Sequence, residues 1–234
     1  MTLMYILGAV AVLLTAIFIF VRVTKGGLLG VYTKTLASVG FMALGVFALT
    51  QNITTTASLF IIMGMLFGLI GDIVLDLKVV YKNDNDSHLN AGMASFFLGH
   101  IMYFVALTLT LNNYGLGGKV MPGILIAAGI AGLLTIGIMY SAKPLLQLEF
   151  GNFKIQTAVY TFVLTFMTAY AFYAGIYASY LLIFAVGLLL FFLSDLVLSN
   201  QYFGGKADSK ILTIINHALY YLAQITIAVM LYFI

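Results

Sequence analysis

Long apolar runs separated by short polar breaks dominate the pattern of this chain. A membrane-spanning helix needs about 20 consecutive, mostly apolar residues. This pattern predicts an all-α fold, a polytopic membrane bundle of eight transmembrane helices that forms a single integral membrane domain over residues 1–234. The predicted spans are residues 3–21, 31–50, 57–77, 89–111, 121–142, 155–173, 179–199 and 211–232.

The breaks between the spans carry ordinary helix-ending signals. Pro144 lies in the fifth break, and Gly204 and Gly205 lie in the seventh. Residues 174–178 form the weakest break, and we expect a tight turn there because fusing its flanks would give an overlong apolar run. The first span lacks the basic leader and small-residue cleavage site of a signal peptide, so we expect it to remain as the first helix.

Basic residues are distributed unequally between alternate breaks, which predicts the orientation. The even-numbered breaks hold only Lys119. By the positive-inside rule, the odd-numbered breaks face the cytoplasm and both termini are extracytoplasmic. The odd-numbered breaks hold Arg22, Lys25, Lys78, Lys82, Lys143, Lys154, Lys206 and Lys210.

Composition supports a multi-pass membrane protein and excludes several other classes. The chain is 63% hydrophobic and only 7% charged, whereas an ordinary soluble domain has about 25% charged residues. It has no cysteine, so disulfides and thiolate chemistry are excluded. The formal charge of +3 comes without a basic, aromatic-rich patch, so no nucleic-acid partner is expected.

Two pairs of similar segments indicate an internal repeat. Residues 71–75 resemble residues 194–198, each with an aspartate followed by aliphatic residues, and residues 100–103 resemble residues 217–220, each with a histidine three residues before a tyrosine. The offsets are 123 and 117 residues, and the matches keep their order. Four helices per half would make the halves parallel repeats, covering residues 1–115 and 116–234.

The same segments place ionisable side chains inside the membrane, where each costs about 2.5–3.5 kcal/mol even on the lenient insertion scale. Asp72 and Asp195 are expected roughly 6–8 Å below the cytoplasmic boundary, from the helical rise per residue. Lys34, His100 and His217 lie within other spans. Further polar candidates are Asp76, Tyr103, Asn216, Tyr220, Tyr221 and Gln224.

Structural explanations exist for each of these residues. An aspartate could be a counter-ion of Lys34 that ties helices together, Asp76 or Lys34 could snorkel to the interface, and the histidines could hydrogen-bond neighbouring helices. Two histidines and two aspartates could in principle bind zinc, but no closely spaced ligand pair exists, so no metal site or cofactor is expected. The glycines of the Gly64-xxx-Gly68 motif and Gly71 are expected to allow close helix approach.

Six segments in order along the chain carry a resemblance to a known family. They are Thr33-Lys34, Gly71-Asp72-x-x-Leu75, Gly99-His100-x-x-Tyr103, residues 160–167, Ser194-Asp195 and Tyr220-Tyr221-x-x-Gln224. On these segments the chain resembles the YhhN family of multi-pass membrane proteins, whose characterised members are lysoplasmalogenases. Two residues depart from the family pattern: Thr35 replaces a usual proline, and His217 has no counterpart.

The resemblance implies hydrolysis of the vinyl-ether bond of a lysophospholipid, a lysoplasmalogen, that enters from the bilayer, with Asp72 and Asp195 as the essential residues. Vinyl-ether hydrolysis needs a proton donor and a carboxylate, roles that two carboxylates can divide as they do in glycosidases. Lys34 could bind the phosphate or keep one aspartate ionised. The sequence does not tell which aspartate is the acid. We expect a location in the bacterial cytoplasmic membrane.

Other function classes use similar residues. A proton-coupled transporter or a lipid-binding membrane protein could also use buried carboxylates and internal repeats, but a transporter predicts a site near the midplane. An intramembrane aspartyl protease also carries two helical aspartates, but its usual motifs are absent. A structural membrane protein without turnover is the remaining alternative. The sequence leaves the oligomeric state open.

Overall fold

A computed structural model describes residues 2–51, 54–78, 81 and 85–233. The chain is 90% helical, and the described residues contain eight helices long and apolar enough to cross a membrane. All eight predicted spans are therefore confirmed, and the protein is a multi-pass membrane protein. The helices are α1 (Thr2–Thr24), α2 (Gly27–Thr50), α3 (Thr56–Leu77), α4 (Asn85–Asn113), α5 (Gly117–Leu146), α6 (Lys154–Tyr177), α7 (Leu181–Phe203) and α8 (Lys210–Met230).

Several helices extend beyond the predicted spans, because backbone groups near a membrane are best satisfied within a helix. α1 includes Arg22 in its last turn. α5 includes Pro144, although the sequence places this residue in a predicted break. The helix ends at Leu146 and is followed by Gln147, whose backbone is left-handed. α6 continues through Tyr177, so the tight turn predicted at residues 174–178 follows at residues 178–180. Lys82, which contributes to the orientation prediction, lies outside the described residues.

Contacts between the helices divide the chain into two compact units. The first comprises Met1–Leu109 and Gln224–Ile234, and the second comprises Thr110–Ala223. Within the first unit, α1 packs against α2 and α2 packs against α3. Within the second unit, α6 packs against both α5 and α7. Each unit has its own group of buried polar side chains.

A close approach of α3 and α4 organises part of the first unit. A Cβ atom at Gly64 would overlap the Tyr103 ring and lie 2.9 Å from the Gly99 carbonyl oxygen. A Cβ atom at Gly71 would lie 2.9 Å from the Phe96 ring. Larger residues would push the helices apart, so the prediction that these two glycines allow close approach is confirmed.

Candidate functional site

Lys34 lies between two buried carboxylates in the first unit. Its ammonium nitrogen is 3.2 Å from Asp72 Oδ1 and 3.2 Å from Asp76 Oδ1. The exposed fractions are 4% for Lys34, 2% for Asp72 and 5% for Asp76. The structure therefore brings these three predicted site residues together, and it buries Asp76 rather than leaving it to snorkel to the interface.

Two further side chains complete this charged cluster. The Arg22 guanidinium, from the last turn of α1, forms an ion pair with Asp76 Oδ2. The Ser38 hydroxyl donates a 2.6 Å hydrogen bond to Asp72 Oδ2. Each oxygen of each carboxylate therefore has a polar contact, which offsets much of the large desolvation cost of burying charge.

Helical spacing explains how the cluster forms. Lys34 and Ser38 are four residues apart on α2, and Asp72 and Asp76 are four residues apart on α3, so each pair shares one helix face. Packing of α2 against α3 brings the two faces together. The cluster therefore depends on helix–helix contact rather than on a loop, which keeps its geometry rigid.

The positive charges of this cluster affect the pKa of a lysine just beyond α3. Lys78 caps the C-terminus of the helix. Burial, followed by repulsion from Lys34 and Arg22, lowers the pKa of Lys78 to about 7. This side chain can therefore gain or lose a proton near neutral pH, close to the ion pairs on α3.

His100 and Tyr103 form a second buried polar group on α4. His100 Nδ1 lies 2.8 Å from the Phe96 carbonyl oxygen. A carbonyl oxygen can only accept a hydrogen bond, so His100 Nδ1 carries the hydrogen of this contact. The His100 and Tyr103 rings meet edge to face at 5.8 Å, and both side chains are buried. The Tyr103 ring also contacts Gly64, as described above.

Asp195 belongs to the second unit, where it contacts a tyrosine from the neighbouring helix. The Tyr160 hydroxyl on α6 donates a 2.8 Å hydrogen bond to Asp195 Oδ2 on α7. Asp195 is partly buried, whereas the preceding residue, Ser194, is completely buried and donates to the Phe191 carbonyl oxygen. The aspartate therefore projects from a well-packed stretch of α7.

The predicted residues of α8 are mostly buried. The Tyr220 ring packs edge to face against the rings of Phe191 and Tyr221, with centroid distances of 5.3 Å and 5.1 Å. Gln224 belongs to the first unit and is buried, whereas His217 belongs to the second unit and is partly buried. In the part of the chain that the structure describes, no three His, Asp or Glu side chains are grouped as metal ligands would be.

Comparison with known proteins identifies the family. The family model of the YhhN family matches residues 29–231, nearly the whole chain. The chain belongs to the YhhN family. The match begins in α2, before Lys34, and ends in the short 3₁₀ helix Leu231–Phe233 that follows α8. Searches of curated proteins and of solved structures gave no match to this YhhN-family protein.

Three residues of these clusters were not among the predicted site residues. The sequence predicts Arg22 in a cytoplasmic break, directly after the first span. Ser38 lies one helical turn after Lys34, which was the available signal for it. Tyr160 lies in a segment that carries the family resemblance, but its pairing with Asp195 becomes visible only when α6 and α7 are packed.

Proposed function

We propose that this YhhN-family protein is a membrane-embedded hydrolase that cleaves the vinyl-ether bond of lysoplasmalogens. The products would be a fatty aldehyde and a glycerophospho-head group. The observation that carries the proposal is the buried Asp72 carboxylate, held by Lys34 and Ser38 in a chain of this family. A buried carboxylate with fixed partners is the kind of group that can stabilise a cationic intermediate away from bulk water.

The reaction proceeds through a protonated alkene. A carboxylic acid donates a proton to the alkene carbon that is β to the ether oxygen, and this gives an oxocarbenium ion. Water then adds to the cationic carbon and loses a proton to a carboxylate, which gives a hemiacetal. The hemiacetal collapses with cleavage of the carbon–oxygen bond to the aldehyde and an alcohol. One acid and one ionised carboxylate are sufficient, as in glycoside hydrolysis.

We assign the ionised role to Asp72. The Lys34 ammonium pairs with Asp72 Oδ1 and the Ser38 hydroxyl donates to Oδ2, so both carboxylate oxygens are held by donors. The proton-donor role then falls to Asp195, where the Tyr160 hydroxyl fixes one carboxylate oxygen. A hydroxyl donor can serve the carbonyl oxygen of a protonated carboxyl as well as a carboxylate, so this contact is compatible with a donor that cycles between both forms.

Lys34 serves as a counter-ion in this proposal rather than as a phosphate ligand. Its ammonium is buried between Asp72 and Asp76, both within salt-bridge distance. Withdrawing it to bind a phosphate would leave Asp72 without this charge partner in a low-dielectric setting, which is energetically costly. We propose His100 and Tyr103, both on α4, as supporting residues that shape the part of this helix around them.

An assay of aldehyde release tests the reaction. Purified full-length protein in detergent is given a 1-alkenyl lysophospholipid, and the aldehyde is quantified for wild type, Asp72→Asn and Asp195→Asn. We expect each substitution to lower kcat by at least 10²-fold, in line with the loss of an acid–base group. Asp208→Asn, at an exposed aspartate, is the matched control and retains activity.

Two substrates and one solvent sharpen this test. The saturated 1-alkyl analogue has no alkene to protonate, so the proposed enzyme leaves it intact. A simple ether hydrolase would cleave this analogue, and an ester hydrolase would cleave the 1-acyl analogue. In D₂O, alkene protonation places one deuterium on the carbon next to the aldehyde. No aldehyde from correctly folded wild type, or full activity in both asparagine variants, would refute the proposal and favour a transporter or lipid-binding role.

A further inference from the structure

An apolar groove lies in the second unit, and its lining includes neither Tyr160 nor Asp195. α6 forms its floor, and α5 and α7, which both pack against α6, form its two walls. The groove has a volume of about 600 Å³. Its walls include Ile126, Ile130, Leu134, Leu182 and Leu189. The side chains of Ile126 and Ile130 are exposed, so the groove opens to the surroundings of the helices.

Threonines in the floor do not make the groove polar. The Thr165 hydroxyl donates to the Thr161 carbonyl oxygen at 2.8 Å, and the Thr168 hydroxyl donates to the Leu164 carbonyl oxygen at 2.8 Å. Both hydroxyls are therefore used within α6. With these hydroxyls bonded to backbone carbonyl oxygens, the floor suits a hydrocarbon chain.

The length of the groove matches one half of a bilayer. Its floor extends along α6 from Thr165 to Ile176, which corresponds to about 16 Å of helix. The hydrocarbon core of a bilayer is about 30 Å thick, so one leaflet contributes about 15 Å. A lipid chain that begins at the interface would therefore fill the groove along its length.

A cation and two tyrosines lie at one end of the groove. Lys119, in the first turn of α5, has its ammonium nitrogen 5.8 Å from the centroid of the Tyr177 ring. The Tyr173 hydroxyl, from the groove lining, donates a 2.9 Å hydrogen bond to the Lys119 carbonyl oxygen. Lys119 lies seven residues before Ile126 and eleven before Ile130, on the same face of α5.

This end therefore has the chemistry of a lipid–water interface. Tyrosines and lysines concentrate at that level of membrane proteins, where a ring is half in hydrocarbon and a charge meets the head groups. The Lys119 ammonium is exposed and suits an anionic phosphate oxygen. The groove is complementary to a molecule with a long apolar chain and an anionic group at one end.

We propose that this groove binds a glycerophospholipid of the surrounding bilayer, with one acyl chain between α5 and α7 and its phosphate at Lys119. Neither Tyr160 nor Asp195 lines the groove, so we assign it to a lipid of the bilayer rather than to the substrate. The lipid fills the gap between the two helices that flank α6. Its binding stabilises the second unit, since a ligand that binds only the folded form raises the folded population.

Native mass spectrometry of the full-length chain tests the proposal. Delipidated protein in a glycoside detergent is titrated with dioleoyl phosphatidylglycerol or with dioleoylglycerol, which has the same chains but no phosphate. Wild type is expected to retain one phosphatidylglycerol more strongly than the diacylglycerol, and its thermal midpoint rises with the phospholipid. Lys119→Gln weakens phosphatidylglycerol binding about tenfold, as expected for one charge-assisted contact, and Lys119→Arg restores it.

Ala169→Phe fills the floor of the groove and is expected to abolish retention of both lipids. Lys143→Gln, at an exposed lysine in the last turn of α5, and Leu133→Phe, at an exposed residue outside the groove lining, are the matched controls and bind like wild type. Size-exclusion chromatography confirms that each variant is folded. Because Lys119→Gln does not alter the groove walls, it tests the site even if Ala169→Phe does not fold.

Several outcomes would overturn the proposal. Equal phosphatidylglycerol binding by wild type, Lys119→Gln and Ala169→Phe would show that the groove is not the site. A parallel loss of lipid binding and of vinyl-ether turnover in Ala169→Phe would identify the occupant as the substrate. A changed oligomeric mass of Ala169→Phe would identify it as a second copy of the chain. The binding and mass measurements do not require the wild type to be an active hydrolase, so failure of this proposal is distinguishable from failure of the proposed function.

Discussion

The Tyr160 hydroxyl donates a 2.8 Å hydrogen bond to Asp195 across the contact between α6 and α7. This bond holds one oxygen of the Asp195 carboxylate in place. If Asp195 is the proton donor, Tyr160 is a positioning residue that acts through it. A hydrogen bond to a charged group is worth about 1.5–3 kcal/mol, so its loss is expected to be measurable in turnover.

We therefore expect Tyr160→Phe to lower kcat for the 1-alkenyl lysophospholipid about tenfold or more, with little change in KM, because the substitution removes only the hydroxyl. Steady-state kinetics of aldehyde release give both constants. Tyr32→Phe, at an exposed tyrosine of α2, is the control and keeps both unchanged. A raised KM with an unchanged kcat would instead assign Tyr160 to substrate binding.

The ion pairs of Lys34 lead to a second prediction. Lys34→Met leaves Asp72 without its ammonium partner in a buried position, and such a loss costs roughly 3–5 kcal/mol. We expect a clearly lower thermal midpoint in detergent, measured by circular dichroism. The double variant Lys34→Met with Asp72→Asn is expected to recover part of this stability, because it also removes the uncompensated charge. A double variant less stable than Lys34→Met alone would contradict the counter-ion role.

The contact between Gly64 and the Tyr103 ring predicts that even a methyl group added at position 64 lowers the stability of the protein. Gly64→Ala forces α3 and α4 apart or displaces the ring, and overpacking of this kind typically costs 1–3 kcal/mol. Gly132→Ala in α5 is the matched control, since a Cβ there meets nothing within 4 Å. We expect the control to be neutral or stabilising because alanine favours helix. Equal midpoints for both variants would contradict the close approach.

The lowered pKa of Lys78 predicts that the stability of the protein depends on pH. Its pKa falls to about 7 in the fold, chiefly through burial and then through repulsion from Lys34 and Arg22, whereas an unfolded lysine has a pKa of about 10.4. Between these values the unfolded state binds more protons, so the contribution of Lys78 to the free energy of unfolding rises with pH. Below pH 7 this contribution is constant and at its least favourable.

We expect thermal midpoints between pH 7 and pH 10 to rise more steeply for wild type than for Lys78→Gln. The difference between the two proteins isolates this residue from other titrating groups. Lys25→Gln is the control, at a lysine that follows α1, and it keeps the wild-type slope. Parallel curves for wild type and Lys78→Gln would contradict the lowered pKa.

The sequence was sufficient to predict the eight helices because a lipid environment leaves few alternatives for an apolar segment of this length. Lys34 and Asp72 were identifiable for the same reason, since a charge within an apolar run is expensive and conspicuous. Arg22 was less visible, because it falls outside the apolar run and its long side chain reaches back to Asp76.

Tyr160 could not be recognised as a partner of Asp195 from its residue type. The chain has 15 tyrosines, and the two residues are 35 positions apart. Only the rotation and packing of α6 against α7 decide which tyrosine meets the carboxylate. The groove beside Lys119 was hidden for a similar reason, since it arises from the packing of three helices, and the lysine served in the sequence only to indicate orientation.

The Asp76 carboxylate forms ion pairs with both Arg22 and Lys34, which come from different helices. Replacing this aspartate by a neutral residue would leave two buried or partly buried cations facing each other without an intervening negative charge. Relatives that lack an acidic residue at this position are therefore expected to have lost the arginine as well. An alignment of the family would show this as covariation between the end of α1 and the last turn of α3, a signature that the proposed reaction does not require.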